Sequence, residues 1–270
     1  MPKRTMVALA AWLALGGLAT AGTINDQNAT LVYDVDPAST TGVGPWVVDL
    51  VTQMNSQWFW YRTGDMDHEA SINTLGPPQE SPSDADFDAG DERVVFLYTA
   101  DAFTVTVDVL LTGGADGTQR ADIAEVVTVQ NTTAEPLEFH LFQYCNPAIS
   151  NTLHDEVGTI LGGNTAQVVE DAGSTLQTVV GPWPSQYAVD SAANLLATLG
   201  DGSVTDLGQA GGPVGPNVNV AWAFQWDEVI APEGTFHMSA DKVLTPEPAT
   251  LALVGLGAVG LVARRRRSRR

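Results

Sequence analysis

The densest run of reactive side chains is Asp84-Ala85-Asp86-Phe87-Asp88-Ala89-Gly90-Asp91-Glu92. Carboxylates spaced this way on an irregular segment can turn towards a hard cation, because Ca²⁺ takes about 6–8 oxygen ligands at about 2.3–2.6 Å in loose geometry. Asp84, Asp86, Asp88, Asp91 and Glu92 are therefore candidate ligands of a weak Ca²⁺ site, and no other cofactor is suggested. The run is not an EF-hand. Its glycine falls one place late, and Val95 stands where the bidentate glutamate belongs. The competing reading is a solvated acidic connector ahead of a strand at Arg93.

Elsewhere the chemistry is sparse. Asp67-His68-Glu69 and His154-Asp155-Glu156 place a histidine beside carboxylates, but neither has a spacing that presents two imidazoles to one zinc ion. Both read as loop histidines. His140 and His237 fall inside strand patterns and read as half-buried structural residues. Cys145 is the only cysteine, so no intramolecular disulfide forms, and it reads as a buried, inert thiol. The chain contains no Gly-x-Ser-x-Gly elbow and no phosphate-cradling glycine loop. No catalytic residue is assigned, and a non-enzyme is expected. The alternative is a carbohydrate-active sandwich using paired carboxylates, Asp67 with Glu69 or Asp155 with Glu156. Neighbours on a strand point to opposite faces, so the second pair would need an irregular backbone to converge. Trp58 and Trp60, in Trp58-Phe59-Trp60-Tyr61, share one face of a strand. Exposed, they would stack on sugar rings and are the glycan-binding candidates; in a sandwich that covers both faces they are core.

The elements that carry these residues are strands. Thr104–Leu111 alternates polar and apolar before a glycine-rich turn, and Ile123–Gln130 and Leu137–Tyr144 flank Asn131–Pro136. Further β-branched or aromatic runs lie at Leu31–Val35, Trp46–Val51, Trp58–Arg62, Arg93–Thr99, Thr165–Val169, Ser174–Val180, Val218–Trp226 and Thr235–Val243. Ala231-Pro232-Glu233-Gly234 reads as the turn between the last two. Ser191–Leu199 alone suggests a short helix, while Trp46–Asn55 is ambiguous. So many strands joined by turns predict an all-β, antiparallel β-sandwich, with a closed β-barrel as the alternative.

The termini carry addresses. Met1–Ala21 has a basic start at Lys3 and Arg4, an apolar stretch, and Ala19-Thr20-Ala21 as a small-x-small cleavage pattern, which is the layout of a secretory signal helix removed after Ala21. At the other end, Pro246-Glu247-Pro248 interrupts any continuing element. An apolar run, Ala249–Ala263, follows and then six arginines up to Arg270. As a helix at about 1.5 Å per residue that run is about 22 Å long, short against a hydrocarbon core of about 30 Å. The arginines hold it with the preceding chain outside. Residues 22–245 form one domain with 31 acidic against 4 basic residues, a net charge near −27. Such a surface repels phosphate backbones, so nucleic acid is not a partner.

Pro-Glu-Pro, an apolar helix and an arginine cluster, in that order at the terminus, resemble a PEP-CTERM sorting signal. The middle of the chain, Leu111–Gly114 through Ala124–Thr132 to Phe142–Tyr144, is similar to uncharacterised domains of other PEP-CTERM proteins. The resemblance implies a Gram-negative exported protein whose precursor sits in the inner membrane through residues 246–270. It further implies processing at Pro246, Glu247 and Pro248 by an exosortase after passage through the secretion machinery. The function expected is a non-enzymatic cell-surface or extracellular-matrix protein associated with exopolysaccharide; the alternative is a carbohydrate-active enzyme or glycan-binding module.

Overall fold

The computed structural model describes residues 21–85, 90–170 and 173–246. Its chain passes back and forth between two sheets. β1 (Gly22–Asp26), β2 (Ala29–Asp34), β3 (Gly42–Val48) and β4 (Val51–Thr63) form an antiparallel meander, and the short β5 (Ala70–Ser71) pairs with β4. The chain then crosses to the second sheet for β6 (Gln79–Ser83), β7 (Arg93–Thr99), β8 (Phe103–Gly113) and β9 (Ala121–Asn131). β10 (Leu137–Pro147) returns beside β4, while β11 (Glu156–Leu161), β12 (Thr165–Glu170) and β13 (Thr175–Gly181) extend the second sheet. β14 (Gln186–Ser191), helix α1 (Ala192–Leu199), β15 (Gln209–Ala210) and β16 (Val220–Ile230) complete the first side. Finally β17 (Thr235–Thr245) inserts between β13 and β9.

The first sheet runs β1-β2-β3-β4-β10-β16-β14-β15 and the second β11-β12-β13-β17-β9-β8-β7-β6. Both keep open edges among the described residues, so no barrel closes and the sandwich expectation holds, with one parallel pair between β14 and β15. The helix expectation also holds: α1 starts where the Ser191 hydroxyl accepts from the Asn194 amide, a side-chain cap that satisfies an otherwise orphaned donor. The ambiguous Trp46–Asn55 stretch resolves into the end of β3, a turn with Asp49 and Leu50 at φ 49° and 66°, and the start of β4. β1, β6, β11 and β14 were not foreseen, since they lack a sustained apolar alternation; β6, Gln-Glu-Ser-Pro-Ser, is an edge strand with almost no apolar content.

Burial follows strand position. β8 and β17 alternate buried and solvent-facing residues, as strands with one wet face must. β4, β10 and β16 instead are buried on both faces along much of their length, because α1 and the chain around residues 201–208 cover the outside of the first sheet. The two sheets meet through aromatic rings: Phe103 of β8 lies edge-on to Tyr61 of β4 at 5.4 Å and to Phe139 of β10 at 5.1 Å. At the centre a buried ion pair of the second sheet, Glu125 with Lys242, accepts hydrogen bonds from Gln57 and Gln143 of the first.

One close approach tests the packing. Gly42 sits at φ 61°, and a Cβ there would fall 2.0 Å from the Trp58 ring. Gly42→Ala combines left-handed strain of about 1–2 kcal/mol with overpacking of about 1–3 kcal/mol, so thermal unfolding should show a loss of about 2–5 kcal/mol. Gly117→Ala, at φ 76° with nothing near the added Cβ, should lose only the strain of about 1–2 kcal/mol.

Candidate functional site

A polar row crosses three neighbouring strands of the first sheet. Arg62 of β4 and Asp227 of β16 are both cross-strand partners of His140 of β10, which puts the three side chains on one face. His140 Nδ1 lies 2.6 Å from Asp227 Oδ1, and its Nε2 lies 3.2 Å from Glu138 Oε1. Arg62 Nε donates to Glu69 Oε1 at 2.9 Å, and both are buried. Residues 201–208 close over this pair: the Thr205 amide donates to both Glu69 oxygens, at 2.9 and 3.1 Å. Buried Gln225 ties the covering segment to the row, donating from Nε2 to Asp206 at 3.1 Å and to Asp227 at 2.7 Å, and accepting from the Leu207 amide at 3.0 Å.

Exposure divides the row. Side-chain exposure is 10% for Arg62 and 0% for Glu69, against 31% for Asp227 and 59% for Glu138, with His140 between at 12%. The inner half is a structural ion pair. The outer half is an imidazole held between two carboxylates, a group that can bind a polar ligand or carry a proton.

The residues singled out from sequence fall elsewhere. Trp58 and Trp60 are buried at 0% and 3% exposure. Trp58 meets Phe96 edge-on and Trp60 meets Tyr144, so neither ring offers a face to a sugar, and the platform reading is corrected to core packing. Asp84 and Asp91 are exposed, whereas Glu92 is buried and turns back to accept from the Ala85 amide, closing its own loop. Asp86 and Asp88 lie outside the described residues, as do Ala19, Glu247 and Pro248, while Ala21 and Pro246 stand at the ends of the described chain. Among the described residues no three of His, Cys, Asp and Glu are grouped to hold a metal.

The carboxylate pairs diverge. Asp67 is exposed and bonds its neighbour His68 at 2.6 Å, which lowers its pKa, while Glu69 turns inward to Arg62. Asp155 accepts from the Thr152 hydroxyl, while Glu156 is wholly buried, accepts from the Ile149 amide at 2.6 Å and faces Glu170 across the β11–β12 ladder. Burial, with Asp155 and Glu170 nearby, pushes the Glu156 carboxyl up to about 7. Burial likewise pushes the Cys145 thiol up to about 12, so the thiolate needed of a nucleophile is suppressed.

The residues 244–267 match a family model described as the PEP-CTERM protein-sorting motif, beginning inside the last residues of β17. No curated protein matches the chain in sequence. Among solved structures it is similar to a bacterial glucoamylase complexed with acarbose, with 10% identity and a TM-score of 0.57 over 90% of this chain and 34% of that one. It is also similar to the Slr1438 protein of Synechocystis sp. PCC 6803, with 8% identity and a TM-score of 0.54 over 90% of this chain and all of that one. The chain thus spans about a third of the glucoamylase, and at these identities the likeness is one of fold. The motif marks an exosortase-sorted surface protein, exported as a membrane-anchored precursor.

Two predictions follow from the buried charges. Arg62→Met strands the Glu69 carboxylate and should destabilise the domain by about 3–5 kcal/mol in chemical denaturation, and adding Glu69→Gln, which removes the charge and still accepts from Thr205, should recover about half. Glu156 has its folded pKa raised above the ordinary 4.5, so its stabilisation is fully present below pH 4.5 and is lost as pH rises through about 7. Glu156→Gln should therefore change the melting temperature little at pH 4.5 and raise it relative to the parent at pH 8.

Proposed function

We propose that residues 22–245 act as a non-enzymatic surface or extracellular-matrix domain that the exosortase releases near Pro246 and that associates with extracellular polysaccharide. The observation that carries this reading is the join between domain and tail. β17 is paired with β9 up to Leu244 and with β13 up to Thr245, and the sorting motif already covers residues 244–267, so the folded domain is fused to its sorting signal with no spacer. The row on the first sheet supports binding over turnover, since Arg62 is neutralised by Glu69 and both ring nitrogens of His140 face carboxylates.

A second reading is favoured by one finding, the fold likeness to part of a glucoamylase that was solved with acarbose. On that reading His140 and Asp227 would be the acid and base of a carbohydrate-active enzyme. One set of preparations separates the two. The exported protein should begin near Gly22 and end close to Pro246 by mass spectrometry, and should co-sediment with neutral polysaccharide without shortening it. An exported form that retains Arg270 would overturn the release. Depolymerisation that disappears in both His140→Gln and Asp227→Asn would replace the binding role with the enzymatic one.

A further inference from the structure

Away from that row, four polar side chains meet in the interior between the sheets. Glu125 and Lys242 come from β9 and β17, Gln57 and Gln143 from β4 and β10, and each is at most 1% exposed. Glu125 Oε1 accepts from Gln57 Nε2 at 2.5 Å. Its Oε2 accepts from Gln143 Nε2 at 3.1 Å and also from Lys242 Nζ. The carbonyl oxygens of both glutamines are buried without a hydrogen-bond partner. A primary amine and a carboxamide therefore converge on a single carboxylate oxygen, walled by Cys145, the cross-strand neighbour of Gln57, and Thr178, that of Lys242, both fully buried.

We propose that Lys242 and Gln143 become joined by an intramolecular isopeptide bond, with Glu125 moving the protons. The first step is transfer of one proton from Nζ to Oε2 along the hydrogen bond that joins them, which leaves a neutral amine beside a carboxylic acid. The Nζ lone pair attacks Cδ of Gln143, and the C=O electron pair moves onto Oε1. Glu125 gives its proton to Nε2 and takes one from Nζ. As the carbonyl re-forms, the Cδ–Nε2 bond breaks and ammonia leaves, carrying away the remaining proton as ammonium. One C–N bond forms, one breaks, and nothing is oxidised or reduced. Because the three groups are held together by the fold, the reaction is unimolecular and needs no enzyme. Gln57 bonds the other oxygen of Glu125 and orients the carboxyl; it does not share an oxygen with the amine, which is why Gln143 is the acceptor. The product would strap β10 of one sheet to β17 of the other in an exported chain whose single cysteine offers no disulfide.

The test is the mass of the full, purified exported protein under denaturing conditions. It should be lighter than its sequence by one ammonia, trypsin should fail to cut after Lys242, and a digest should yield a branched peptide joining the Gln143 and Lys242 segments. Glu125→Gln and Lys242→Met should each restore the unbranched mass. Should either variant fail to fold, the parent protein decides alone. An unmodified mass, or an ammonia loss that maps to another residue, overturns the proposal, and a branch at Gln57 overturns the assignment to Gln143.

Discussion

Burying the ion pair of Glu125 and Lys242 between two sheets constrains everything built around it. An ion pair in a low-dielectric interior is tolerated only when its remaining hydrogen-bonding capacity is met, and here the second sheet supplies both charges while the first supplies two carboxamides. Slipping either sheet by one residue would turn these side chains to the wrong face and leave a charge facing aliphatic groups. The centre of the sandwich is thus keyed, whereas the flanking contacts, such as Phe103 against Tyr61 and Phe139, are apolar and would tolerate adjustment.

Keying the centre makes the outer face of the first sheet available for something else. The interior faces of β4, β10 and β16 are fixed by the core, so their outward residues emerge in fixed rows. Helix α1 covers part of that face, Tyr144 reaching its Ala192 carbonyl at 3.4 Å, and residues 201–208 cover another part through Thr205 and Leu207. Between them the Arg62, His140 and Asp227 row grades from buried to open. Such a gradient suits recognition: a rigid, satisfied inner half holds a wetter outer half in place.

Most of the architecture was legible because half-wet strands declare themselves by alternation. Thr104–Leu111 and Thr235–Val243 read directly as strands, and Ser191 read directly as a cap. What failed were strands at or next to the sheet edges, β1, β6, β11 and β14. Trp58-Phe59-Trp60-Tyr61 offers two equally apolar faces, and only the covering segments, which are distant in sequence, decide that both are core. The row was illegible for a related reason. Arg62, His140 and Asp227 come from three separate strands, and no local spacing announces a register set by two sheets locking together. The acidic run was the loudest signal in the sequence, yet its one buried member among the described residues, Glu92, is occupied in closing the loop on Ala85. The carboxylate pairs diverge for different reasons: Asp155 and Glu156 are adjacent at a strand start and point apart, while Asp67 lies in a bend and bonds His68 as Glu69 turns inward to Arg62.

The same sandwich limits where the tail can be cut. β17 lies between β13 and β9, pairing with β9 over Thr235–Leu244 and with β13 over Ser239–Thr245, so Thr245 still faces Thr175. Leu244 is 3% exposed and Lys242 is wholly buried, so a cut inside the strand would open the core and remove the Lys242 partner of Glu125. A cut beyond Thr245 leaves every rung of the ladder intact. Pro246 reinforces that boundary, because it has no backbone donor to add to the sheet and biases the preceding residue towards an extended conformation. The exported domain and its sorting signal therefore share one boundary: the last residue the fold needs is the one before the first proline of the motif.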